Sequence, residues 1–121
     1  MKQILILSIV CVLAVHFVSS VSLQKGTLDI IEGNCTSPNP KQAVLKDYVH
    51  KTSIPFVKRD ETVEWHGDQK IYCVTAISLK SAEKGSTAWI SDGGVNHTYI
   101  AIELESGRGH GLEYNVTIYA K

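Results

Sequence analysis

From residue 72 onward apolar side chains fall at alternate positions, and glycine, asparagine, aspartate and serine break the alternation about every ten residues. An extended chain points successive side chains to opposite faces, so this period of two predicts short antiparallel strands, each with one buried face. The clearest is 98–105, with Ile100, Ile102 and Leu104 on one side and Tyr99, Glu103 and Glu105 on the other. Segment 112–119 repeats the pattern, with Leu112, Tyr114, Val116 and Ile118 inward and Glu113, Asn115, Thr117 and Tyr119 outward. Further strands are predicted over 72–79, over 87–91 around Trp89, and over 62–66, where Gly67 and Asp68 end the run. Segment 41–51 supports two readings. Asn39 and Pro40 suit a helix start, whereas Val44, Lys46, Tyr48 and His50 alternate as in a strand, and the strand is preferred. Several short strands and no long helix predict an all-β fold, a small antiparallel sandwich or barrel.

The links carry turn chemistry. Segment 80–85 reads as a loop, and Asp92, Gly93 and Gly94 as a turn leading to Asn96. Segment 106–111 has glycine at alternate positions and reads as a tight hairpin loop with positive backbone torsions. A phosphate cradle would need a helix N-terminus after the glycines and a lysine–serine pair, whereas here a strand follows. Arg108 then reads as a solvated charge or an anion contact.

The start of the chain follows a different pattern. Lys2 precedes an apolar run over 4–18, and the small residues Ser19, Ser20, Val21 and Ser22 follow it. That order predicts a secretory signal peptide over 1–20, cleaved after Ser20 or Ser22, with one secreted β domain over 21–121. As a helix the run would reach about 22 Å at about 1.5 Å per residue, short of the roughly 30 Å hydrocarbon core. Nothing later is long and apolar enough to span a bilayer as a helix, so the expected address is extracellular.

Composition agrees with one domain. The 121 residues suffice for one core and not for two, and the 44% hydrophobic content, though inflated by the leader, is that of a globular chain. Twelve basic residues balance 12 acidic ones, which removes the simplest electrostatic case for nucleic-acid binding. Cys11 departs with the leader, and Cys35 and Cys73 remain to form one disulfide in an oxidising compartment. Neither lies in a Cys-x-x-Cys pair, and His50, His66, His97 and His110 are widely spaced, so no metal or other cofactor is expected. Asn34, Asn96 and Asn115 each open an N-glycosylation sequon. Asn115 falls on a water-facing strand position, while the Asn34 sequon contains Cys35, so glycosylation there competes with the bridge.

Catalytic signals are weak. Asp47, Asp60, Glu61, Glu64, Asp68, Glu103 and Glu105 supply carboxylates, yet paired carboxylates work as acid and base only where their surroundings differ. Glu103 and Glu105 share the predicted water-facing side. No serine sits in a Gly-x-Ser-x-Gly elbow, and both mature cysteines are claimed by the bridge. Trp65, Trp89, Tyr99 and Tyr119 are expected to pack. No catalytic residue is assigned, and the chain is expected not to be an enzyme.

Three stretches are more specific: Ile71-Tyr72-Cys73-Val74, Ala88-Trp89-Ile90-Ser91-Asp92-Gly93-Gly94-Val95, and the closing run from Ser106-Gly107-Arg108-Gly109-His110-Gly111 through Leu112-Glu113-Tyr114-Asn115-Val116-Thr117-Ile118-Tyr119. Together they resemble the insect multiprotein bridging factor 2 family, many members of which are described as salivary secreted peptides. Ser78, Asn96 and the closing Ala120-Lys121 depart from its pattern. The resemblance marks Gly93, Gly94, Arg108, Gly109 and Gly111 as motif-loop residues and transfers no catalytic residue. It implies two functions. One is a secreted, non-enzymatic insect protein of saliva or haemolymph that binds a partner, protein or small ligand; loops 92–98 and 106–111 are the best candidate contacts because loops present side chains. The other is a transcriptional coactivator bridging a nuclear receptor to the general transcription machinery. Location favours the first, because an exported chain does not meet a nuclear partner; a secreted hydrolase is the weakest reading.

Overall fold

The computed structural model describes residues 26–121; the predicted leader, its cleavage points after Ser20 or Ser22, and Cys11 lie outside the described residues. Seven strands follow in order: β1 (Ile30–Gly33), β2 (Ala43–Lys51), β3 (Asp60–His66), β4 (Ile71–Ser78), β5 (Thr87–Gly93), β6 (Tyr99–Glu105) and β7 (Leu112–Ala120). They form two antiparallel sheets, one in the order β1-β4-β7-β2 and the other β3-β6-β5. The fold is all-β, as the alternation predicts. Two open sheets over one shared core make it a sandwich rather than a closed barrel.

The core follows from the period of two. In β6 the buried residues are Ile100, Ile102 and Leu104, and in β7 Leu112, Tyr114, Val116, Ile118 and Ala120. β4 adds Ile71, Val74 and Ala76, while the outer strands β2 and β3 each supply one fully inward residue, Val49 and Val63. Each large aliphatic among them contributes about 1.5–3 kcal/mol by leaving water. β7 lies between β4 and β2 and joins them into one layer.

Three expectations need correction. Segment 41–51 contains both signals in series. Asn39 Oδ1 accepts from the Lys41 N–H at 2.9 Å and Pro40 opens a helix, but it lasts a single 3-10 turn, Pro40–Gln42, before β2 begins. A bulge between Ala43 and Leu45 turns both Val44 and Leu45 toward the core, so Lys46, Tyr48 and His50 mark the outer face. Second, 106–111 is not a hairpin loop. It connects β6 in one sheet to β7 in the other, and crossover and hairpin loops draw on the same turn residues. Third, the strand predicted over 87–91 continues to Gly93, with a register shift between Ile90 and Asp92. β1, only four residues with three exposed, carries no readable alternation.

The disulfide pairs Cys35 with Cys73, at a Cα–Cα separation of 5.2 Å. It ties the segment after β1 to the buried start of β4, where Tyr72 donates its hydroxyl to Gln42 Oε1 at 2.7 Å.

Candidate functional site

Of the carboxylates picked out in the sequence, Asp60 of β3 stands directly opposite Glu105 of β6. Glu103 accepts from the Thr62 and Ser91 hydroxyls, both at 2.7 Å, while Glu105 pairs with Lys58 at 3.6 Å and Glu61 with Lys51 at 3.0 Å. Among the described residues no group of three or more His, Cys, Asp or Glu is placed to hold a metal ion. The features that remain are loops, and one pair of them forms a distinct construction.

The crossover 106–111 packs against the β2–β3 connection. Buried Ser106 is the joint: its Oγ accepts from the Arg59 N–H at 2.8 Å and donates to the Gly107 carbonyl at 3.0 Å, while its own N–H donates to the Arg59 carbonyl at 2.7 Å. The glycines serve closeness and conformation. A Cβ on Gly107 would stand 2.1 Å from the Lys84 carbonyl oxygen, and Gly109 adopts φ +79° while its N–H donates to the Val57 carbonyl at 3.0 Å. Arg108 Nη1 donates to the Phe56 carbonyl at 3.0 Å, and Arg59 Nη1 to that of Thr52 at 2.7 Å. Arg108 is exposed to solvent, and one of its guanidinium N–H groups also braces the neighbouring loop.

What it braces is a strained apolar turn. Pro55 occupies the second position, Phe56 has φ +68°, and the Val57 N–H donates to the Ile54 carbonyl at 3.1 Å, the signature of a type II turn. Glycine or asparagine is the usual third residue of such a turn, and a bulky side chain in that region costs on the order of 1 kcal/mol. Phe56 is nevertheless 83% exposed, with Ile54 and Val57 each 42% exposed beside it. Sequence reasoning passed over this turn. The available signal was an apolar group, Ile54, Phe56 and Val57, inside a segment otherwise polar and charged.

The other predicted contact loop, 92–98, lies at the far end of β6, about 20 Å away at about 3.3 Å per strand residue. It is fastened to β4: the Asn96 N–H donates to the Ile71 carbonyl at 2.8 Å, and the Ile71 N–H to the His97 carbonyl at 2.9 Å. Asn96 takes φ +72°, a region asparagine tolerates, and Gly93 approaches Tyr99 so closely that a Cβ would meet its carbonyl at 2.1 Å. Gly93 and Gly94 thus shape the β5–β6 hairpin, and the two predicted contact loops do not form one surface. Asn115 is exposed on the outer face of β7, opposite Tyr48 of β2, over a shallow depression of about 410 Å³. There Tyr48 donates its hydroxyl to Glu113 Oε2, a hydrogen bond that, ahead of desolvation, raises the pKa of the phenol. Asn34 is exposed one residue before the disulfide.

The family described as "Transcription activator MBF2" matches residues 37–120, a span containing β2 to β7, the strained turn and the crossover. The chain is also 30% identical over 80 residues to a "Probable salivary secreted peptide" from Bombus ignitus, which covers 64% of this chain and 60% of that protein. It thus spans about 60% of the length of the curated relative it matches. No solved structure matches the chain. With the matched span reaching across the sandwich from β2 through β7, this chain belongs to the Transcription activator MBF2 family.

Proposed function

We propose that this chain is a secreted, non-enzymatic insect protein that acts by binding a partner in extracellular fluid. The observation that carries this reading is the Cys35–Cys73 bridge. Such bridges persist in oxidising compartments and are rare in the cytosol and nucleus. The signal-like start of the sequence and the name of the salivary relative support the same address. The hydrogen bonds of Glu103 and the ion pairs of Glu61 and Glu105 suit structural roles and support recognition rather than turnover. The contact surface is the 54–57 turn, which presents apolar side chains on a braced backbone. Asn96 and Asn115, exposed in a loop tip and on an outer sheet face, are positions where a glycan fits without disturbing the core.

The family description favours a second reading, a nuclear coactivator. Expression of the full chain in insect cells separates the two. Mass spectrometry of the medium is expected to find a product starting at Val21 or Leu23, with Cys35 and Cys73 resistant to alkylation until reduced. A product that stays in the nucleus with Met1 attached and both thiols free overturns the secreted reading and leaves the coactivator.

A further inference from the structure

Resting on the reading of the 54–57 turn as the contact surface, we propose that this turn docks on the surface of an anionic lipid bilayer, with Phe56 dipping into the headgroup region. Shape comes first. Ile54, Phe56 and Val57 project from a turn whose segment, 52–58, is exposed throughout, and a convex apolar tip suits a soft interface.

Burying an unpaired peptide group is costly, and part of the turn is paired within the protein: the Val57 N–H and Ile54 carbonyl bond each other, the Phe56 carbonyl accepts from Arg108 and the Val57 carbonyl from Gly109, while the central peptide between Pro55 and Phe56 stays at the hydrated headgroup level. Charge points the same way. The segments that flank the turn or bond to it carry Lys51, Lys58, Arg59 and Arg108 together with Asp60 and Glu61, and Glu105 lies opposite Asp60. Glu61 and Glu105 are paired with the two lysines. Among the described residues the two guanidiniums bond backbone carbonyls rather than carboxylates, which leaves Arg59 and Arg108 against Asp60. The balance beside the apolar tip is one net positive charge, the sign that an acidic headgroup layer attracts.

Vesicle sedimentation of the secreted, disulfide-intact protein tests this. Vesicles of phosphatidylcholine with 30% phosphatidylserine are expected to carry the protein down, and pure phosphatidylcholine to leave it in solution. Phe56→Gly suits the positive torsion, so the fold survives while the anchor goes, and the partition coefficient is expected to fall about tenfold. Ile31→Ala, on a sheet face remote from the turn and 65% exposed, is expected to change nothing. Equal binding by wild type and Phe56→Gly, or no binding to either vesicle, overturns the lipid proposal. The underlying reading is tested separately by capturing partners from extracellular fluid. A protein captured by wild type and lost with Phe56→Gly, without vesicle binding, keeps the turn as contact surface and replaces lipid by protein. Capture unchanged by Phe56→Gly overturns the turn itself.

Discussion

Removing one oxygen atom from the core tests how the segment before β1 is held. Tyr114 is fully buried on β7, and its hydroxyl donates to the Leu28 carbonyl at 2.5 Å. Leu28 sits between Thr27, which pairs with Ala88 of β5, and Ile30, which pairs with Ala76 of β4, so this bond pins the strand of chain that passes from one sheet to the other. Tyr114→Phe keeps the ring and leaves Leu28 without its donor, which costs about 1–2 kcal/mol at neutral pH. For a domain of this size that is a drop of about 4–8 °C in Tm per kcal/mol. The phenol adds a pH dependence. Burial first, then the charge of Asp29, push its pKa up to about 12, partly opposed by a hydrogen bond with Ser78. In the unfolded chain a tyrosine titrates near 10, so the stabilisation is complete below pH 10 and is lost as the pH rises through 12. The loss in that window is up to about 2 kcal/mol. Urea unfolding followed by Trp65 and Trp89 fluorescence, at steps from pH 7 to pH 12, measures both effects. The stability advantage of wild type over Tyr114→Phe is expected to shrink above pH 10 and to vanish or invert near pH 12. An advantage of equal size at pH 7 and pH 12 would falsify the assignment of that hydroxyl.

Other perturbations follow from the same geometry. The double variant Cys35→Ser, Cys73→Ser frees a loop of 38 residues in the unfolded chain and is expected to lose about 4 kcal/mol, read as a fall in Tm that reductant reproduces in the wild type. Gly107→Ala places a methyl 2.1 Å from the Lys84 carbonyl, and since both partners are backbone the crossover must shift; a loss of more than about 2 kcal/mol in thermal unfolding is expected. Asn115→Gln removes an exposed acceptor from the outer sheet face, so in insect-cell medium its band is expected to run lower than wild type by one glycan and to equal it after enzymatic deglycosylation.

What was legible in the sequence was local. β6 and β7 differ by one residue from the segments their alternation marks, because antiparallel strands with one wet face display their period directly. Counting cysteines found the bridge. β1 was illegible, since Ile30 is its sole buried residue and its place is fixed by β4. The sheet to which a strand belongs was equally hidden. Between β6 and β7, Gly107 reads as a hairpin glycine until the carbonyl of Lys84, distant in sequence, is seen lying against it. The bracing role of Arg108 was hidden for the same reason: its partner is a carbonyl 52 residues away. The 54–57 turn was missed because an apolar residue is expected inside, and Phe56 is held outside at a torsion its side chain disfavours.

The place of β7 has a consequence for the order of assembly. Until it is made, β4 with β1 on one side and β2 on the other have no common neighbour, so the larger layer has no middle. A nascent polypeptide that has already released six strands therefore still lacks its keystone, and it remains a threadable chain until β7 emerges.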